Sequence, residues 1–135
     1  MFVGSIKGPV VNFEDFQALR SELLRGGARE IQLVSNSMAP LLPTGARAMV
    51  EGCSIGELKP FEIVVFWENG KLICHVVCGQ GELPAADGQA SLVTRGLSSK
   101  SFDLPIPADC ILGRVTSHRL TWWQKTKFIW STRRN

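Results

Sequence analysis

The 135-residue chain has no uninterrupted apolar run near the roughly twenty residues that a membrane span needs. Its start, Met1 to Pro9, lacks the charged beginning and apolar core of a secretion signal. The excess of 15 Lys and Arg over 12 Asp and Glu gives +3, which is too little to indicate a nucleic-acid partner. The sequence also has no internal repeat and no low-complexity segment. These absences predict one cytoplasmic domain, residues 1–135, that binds no nucleic acid.

Cysteines are few, and their positions argue against cross-links and metal. Cys74 and Cys78 are four residues apart on a predicted strand, a separation of roughly 13 Å that forbids a bond between them. The same strand would point His75 away from both sulfurs. We therefore expect no metal site, no cofactor, and reduced, mostly buried thiols at all four positions: Cys53, Cys74, Cys78 and Cys110.

The remaining pattern predicts a β-rich α+β fold. Asn12 is a candidate cap for an N-terminal helix over about 12–26, which Gly26 and Gly27 would end. Alternating apolar residues predict a β-core over about 30–116, with strands near 30–35, 46–51, 61–68, 71–78, 91–95 and 110–116. Residues 80–89 are typical of an exposed loop. A basic, aromatic tail follows over 117–135.

The strand register of one hairpin can be predicted from the sequence. Asn69-Gly70 is the strongest short signal for a two-residue type I′ turn. Such a turn pairs Val64 with His75 and places Glu62 diagonally across from His75 on the same face. Cys74 and Cys78 would lie on the opposite face.

A serine nucleophile needs a base, and the chain offers two histidines. His118 lies in the basic tail, whereas His75 lies within the most strongly predicted strand, so His75 is the first choice. The segment Ser35-Asn-Ser37-Met-Ala-Pro40 supplies hydroxyls in a small-residue turn. The alternative is that the serines are ordinary turn residues and the histidine is structural.

The segment Ser35 to Pro40 resembles the serine box Ser-x-Ser-Met-x-Pro of the S24/S26 peptidase superfamily. Specifically, it resembles the type I signal peptidases of the archaeal, sporulating-bacterial and endoplasmic-reticulum branch. Further blocks resemble the family in the expected order: Phe61-Glu-Ile-Val-Val-Phe66, His75-Val-Val77, Thr94-Arg-Gly96 with Asp103 and Pro107, and Gly113-Arg-Val115. Two positions that are acidic in the family are Ala46 and Leu97 here.

This resemblance implies the signal-peptidase/LexA-type β-fold and a set of site residues. Ser37 would be the nucleophile, and His75 would replace the lysine base of the bacterial enzymes. Imidazole is an easy base, because its reference pKa of about 6.5 leaves it neutral at physiological pH. Asp103 would orient His75, with Glu62 as a second candidate for that role. The Ser35 hydroxyl and the Ser37 N–H would form the oxyanion hole.

Met38 has two interpretations, as part of a substrate pocket or as a core residue. The expected function is that of a serine endopeptidase that cleaves precursor or leader peptides. One alternative is a binding or regulatory module that retains the fold without the activity, which the acids missing at Ala46 and Leu97 favour. Self-cleavage, as in LexA-type repressors, ranks third.

The tail predicts a second contact surface. Trp122, Trp123, Ile129 and Trp130 share one side of a helical wheel, with cationic residues flanking them. This pattern is typical of an interfacial helix, which would hold the protein peripherally on the inner face of the membrane. The alternative is that these tryptophans pack on the β-body or on a partner protein.

Overall fold

The first helix begins where its cap was expected. The computed structural model describes residues 11–33, 37–81 and 90–133. Helix α1 spans Phe13–Leu24, and the side-chain oxygen of Asn12 accepts the Asp15 N–H at 2.8 Å. After the helix, Gly26 adopts a φ of 100°, which lets the chain reverse. The predicted N-terminal helix is confirmed, and its residues Phe16, Leu19 and Leu23 are buried in the larger core cluster.

Seven antiparallel strands form one sheet in the order β1-β2-β7-β3-β4-β5-β6. The strands are β1 (Ala28–Gln32), β2 (Arg47–Glu51), β3 (Ile63–Glu68), β4 (Lys71–Gln80), β5 (Ser91–Arg95), β6 (Ile106–Pro107) and β7 (Ile111–Val115). The β-rich α+β fold class is confirmed. The sequence did not predict β6, because two residues before a 3-10 turn carry no alternating pattern.

The hairpin between β3 and β4 has the register that its turn predicts. Asn69 and Gly70 have φ values of 50° and 79°, as both central positions of a type I′ turn require. Val64 pairs with His75, and Trp67 pairs with Leu72. The predicted position of His75 on the sheet is therefore confirmed. Next to it, the Phe66 ring meets the imidazole edge-on, with 5.7 Å between the ring centres.

Helix α2 (Trp122–Arg133) covers part of the sheet through Phe128 rather than through its tryptophans. Phe128 is buried against Phe61, whereas Trp122, Trp123 and Trp130 are exposed. The interpretation in which the tryptophans pack on the β-body is therefore wrong, because the side of α2 that faces the sheet is the side of Phe128. The interpretation in which they contact a partner protein stays a prediction. Across the described parts of the chain, no helix is long and apolar enough to traverse a bilayer.

Candidate active site

Ser37 lies in a turn that the core holds in place. The residue is half-buried and is followed directly by Met38, whose carbonyl accepts the Leu42 N–H at 2.9 Å. Met38 and Leu42 are both buried in the larger apolar cluster, together with residues of α1. Burial of these two side chains holds the turn in place, and this positions the Ser37 hydroxyl.

His75 connects Ser37 to a carboxylate. Its Nε2 lies 3.0 Å from the Ser37 Oγ, and its Nδ1 lies 2.5 Å from the Asp103 Oδ2. With Nδ1 donating to the carboxylate, Nε2 is the acceptor for the hydroxyl proton of Ser37. Both ends of the imidazole are thus engaged in the order that serine hydrolases use. The structure brings together the three residues named as catalytic candidates, Ser37, His75 and Asp103.

Asp103 is itself held by β5. The Thr94 hydroxyl donates to the Asp103 Oδ2 at 2.7 Å, and the Asp103 N–H donates to the Thr94 carbonyl at 2.9 Å. Thr94 pairs with Val77, two residues beyond His75 on β4. The carboxylate is therefore fixed to the strand beside the histidine. Thr94 was not predicted as a site residue, since its role depends on the chain returning from Gly96 to Asp103.

Gly96 makes room for the contact between Ser37 and His75. A Cβ on Gly96 would lie 3.1 Å from the Ser37 Cβ and 3.2 Å from the His75 Nε2. The next loop also holds the serine turn, because the Ser98 N–H donates to the Ser37 carbonyl at 3.0 Å. The Ser98 hydroxyl adds a bond to the Ala39 carbonyl at 2.6 Å. A side chain at 96 would thus press on both reacting groups.

Gly96→Ala should slow acylation of Ser37 by an electrophilic serine probe by about tenfold to a hundredfold. Contacts of 3.1 and 3.2 Å require the serine or the imidazole to shift by a few tenths of an ångström, and misplacement of reacting groups is costly. The rate is measured by mass spectrometry of the intact chain. Gly56→Ala is the matched control, because no atom lies within 4 Å of its Cβ position. Equal rates for both variants would contradict this account of Gly96.

Arg95, the last residue of β5, links that strand to α2 on the face of the sheet opposite His75. It is fully buried, and its Nη2 donates to the Phe128 carbonyl at 2.7 Å. Its Nη1 donates to the Ser99 carbonyl at 2.9 Å and to the Ser131 hydroxyl at 3.0 Å. The guanidinium also lies over the Phe128 ring, 3.8 Å from its centre. Burial lowers the pKa of Arg95 from its ordinary value.

Three other predicted site residues have different positions. Ser35 falls outside the described residues, so its oxyanion role stays a prediction, as does that of the Ser37 N–H. Glu62 does not orient His75 here: its carboxylate accepts from the Lys59 N–H at 2.7 Å and from the Arg114 guanidinium at 3.4 Å. Met38 is 1% exposed within the core, so its side chain has no surface to offer a substrate.

Three of the four cysteines are poor nucleophiles, because burial keeps their thiols protonated. Burial raises the pKa of the Cys74 thiol to about 12 and those of Cys53 and Cys78 to about 11. The four cysteines form no disulfide; Cys53 and Cys74 are buried, and Cys78 and Cys110 are half-buried. In the described ranges, no three His, Cys, Asp or Glu side chains cluster as metal ligands would. The chemistry of the site therefore falls to the hydroxyl of Ser37.

Comparisons with protein-family models, with curated proteins and with solved structures gave no match. The functional conclusion below consequently depends on the geometry of this chain and on its sequence motifs.

Proposed function

We propose that the protein is a serine endopeptidase that cleaves precursor or leader peptides in an extended conformation. The observation that carries this proposal is the continuous hydrogen-bonded row from Ser37 through His75 to Asp103. Such a row is the recognised means of activating a serine hydroxyl, and it does not arise from turn chemistry alone. The ordered motifs that resemble signal peptidases support the same reaction class.

The reaction follows from the positions of the three side chains. The Ser37 Oγ attacks the scissile carbonyl carbon while His75 Nε2 takes the hydroxyl proton, and Asp103 stabilises the imidazolium that forms. The same proton then passes to the leaving amine as the peptide bond breaks. Water, deprotonated by His75, hydrolyses the resulting ester and restores the serine. Neither a cofactor nor a metal enters these steps.

The two acidic residues of the family pattern that this sequence lacks are not needed for the hydrogen bonds from Ser37 through His75 to Asp103. Ala46 and Leu97 are partly buried apolar residues that pack against the larger core cluster. A carboxylate at either position would need a partner to offset its burial. The role of orienting the imidazole belongs instead to Asp103, which Thr94 supports. The replacements are therefore compatible with activity.

We infer that an extended substrate binds along the edge of the sheet rather than in a deep pocket. Strand β1 is one edge of the sheet, and its last residue, Gln32, precedes Ser37 by five positions. Main-chain hydrogen bonds between a peptide and an edge strand supply affinity with little dependence on sequence. We infer that residues close to the cleaved bond provide most of the selectivity.

Digestion of a defined peptide library tests this function. The wild-type chain should generate new termini that share a residue preference next to the cleaved bond. Asp103→Asn should reduce the cleavage rate by roughly ten-thousandfold, because an amide cannot stabilise the imidazolium and favours the wrong tautomer. Mass spectrometry of the digest gives both the sites and the rates.

Asp109→Asn is the matched control, since Asp109 is the same residue type and lies in the 3-10 turn Ala108–Cys110, where its carboxylate accepts from the Cys110 thiol. It should cleave as the wild type does. An uncut library, with every variant correctly folded, would contradict the enzyme and favour a binding module that retains the fold alone.

A further inference from the structure

Helix α2 exposes an unusually large aromatic surface. Trp122, Trp123 and Trp130 are 70%, 67% and 58% exposed, and Ile129 lies beside them. Trp123 and Trp130 lie five residues before and two residues after the buried Phe128, which places them on the opposite side of a helix with 3.6 residues per turn. We call these four residues the aromatic face. Tryptophan suits a boundary between water and an apolar phase, because one end of its ring system is polar.

The charged residues of α2 itself, Lys125, Lys127 and Arg133, are all cationic. The sequence after β7 adds Arg119 and contains no Asp or Glu. Lys125 and Lys127 are exposed on the two flanks of the aromatic face. This combination complements a surface that is apolar inside and anionic at its boundary. A protein partner would need a matching acidic rim, whereas anionic lipid headgroups provide one without any specific fit.

The apolar surface continues from α2 to the loop between β5 and β6, which contains Asp103 and is called the catalytic loop below. An apolar cavity of about 360 Å³ lies between them, and Phe102 and Ile129 are both among its lining residues. Phe102 is 50% exposed, and Leu104 is 83% exposed. These two residues flank Asp103, which bonds to His75. An apolar phase that meets the aromatic face would therefore also lie next to the active site.

We propose that the aromatic face of α2, together with Phe102, docks in the interfacial layer of an anionic lipid bilayer. The helix lies parallel to the membrane, with its tryptophans at headgroup depth and its lysines over anionic phosphates. Arg95 links this helix to the loop that follows β5, so docking presents the catalytic loop to peptides close to the membrane surface. Membrane docking does not depend on catalysis and stands or falls separately from the peptidase activity.

Vesicle sedimentation with the full chain tests this docking. The wild type should bind phosphatidylcholine vesicles that contain phosphatidylserine, and binding should weaken as salt is added. Combined replacement of Trp122, Trp123 and Trp130 by alanine should lower the partition coefficient by at least about a hundredfold, because that much apolar surface no longer enters the interface. These side chains are mostly exposed, so the variant should fold normally.

Two control variants make the result specific. Leu24→Ala removes an exposed apolar side chain at the end of α1 and should leave binding unchanged. Lys127→Glu should weaken binding about tenfold, whereas Lys71→Glu, the same change of charge at an exposed position in the β3–β4 hairpin, should have little effect. Ser37→Ala should bind vesicles as the wild type does, which separates docking from catalysis.

Three results would overturn the proposal. The first is no binding to phosphatidylserine vesicles by the wild type, and the second is binding that the three alanines leave intact. The third is a concentration-dependent dimer, seen by sedimentation without lipid and abolished by the tryptophan replacements. That last result would assign the aromatic face to a second copy of the chain.

Discussion

Ser37→Ala should reduce peptide cleavage by between roughly ten-thousandfold and a millionfold, to near the uncatalysed background. The hydroxyl that lies 3.0 Å from His75 Nε2 is the only atom that this change removes. Cys74, the residue before His75, cannot substitute for it, because burial raises the pKa of the Cys74 thiol to about 12. The measurement is the rate at which new termini appear in the peptide library.

The chain contains a natural control for this experiment. Ser117 and His118 also form a hydroxyl–imidazole contact, with 2.8 Å between the Ser117 Oγ and the His118 Nδ1. Ser117 is exposed and His118 is half-buried, and their contact uses Nδ1, the ring nitrogen with which His75 instead binds Asp103. Ser117→Ala should therefore retain cleavage. Loss of activity in Ser117→Ala, together with full activity in Ser37→Ala, would contradict this account and assign catalysis to Ser117 and His118.

His75→Ala should have an effect of similar size, because it removes the base that lies 3.0 Å from the Ser37 hydroxyl. The rate should also fall when the wild type is acidified, since a protonated imidazole cannot accept the hydroxyl proton. The result is measured as kcat/KM against pH for one library peptide. Thermal unfolding of both proteins shows that the variant is folded at the temperature of the assay.

His118→Ala is the control for His75 and should keep the rate and its pH profile. A His75→Ala protein with unchanged activity would remove the imidazole from the mechanism. A pH profile that stays flat on the acid side would indicate a base of another kind.

Local chemistry made part of the site predictable. Asn69 and Gly70 determine a two-residue turn, and this turn alone sets the register that pairs Val64 with His75. Asn12 determines where α1 begins in the same way. In each case the deciding contact joins residues close in sequence, so the pattern of residue types contains the necessary information.

The support around the triad could not be predicted from local pattern. Thr94 acts through Asp103, and Gly96 matters because Ser37, 59 positions earlier, lies against it. Arg95 appears in the sequence as an ordinary strand cation, yet α2 buries it completely. These roles depend on contacts between segments that are distant in sequence. The hydrophobic periodicity of a sequence predicts local elements but not such contacts.

Glu62 shows the limit of reasoning from one sheet face. Its diagonal position relative to His75 was predicted from the hairpin alone. Arg114 on β7, the next strand in the sheet, draws its carboxylate away instead. The competing cation is 52 positions distant in sequence, so the hairpin gave no sign of it.

Labelling with a fluorophosphonate, which phosphonylates activated serines with loss of fluoride, tests the central claim most directly. We predict a single adduct on the wild-type chain, located at Ser37 by peptide mapping, and its absence in Ser37→Ala and His75→Ala. A chain that stays unlabelled while folded, or an adduct that maps to another serine such as Ser98 or Ser117, would contradict the claim that His75 and Asp103 activate Ser37.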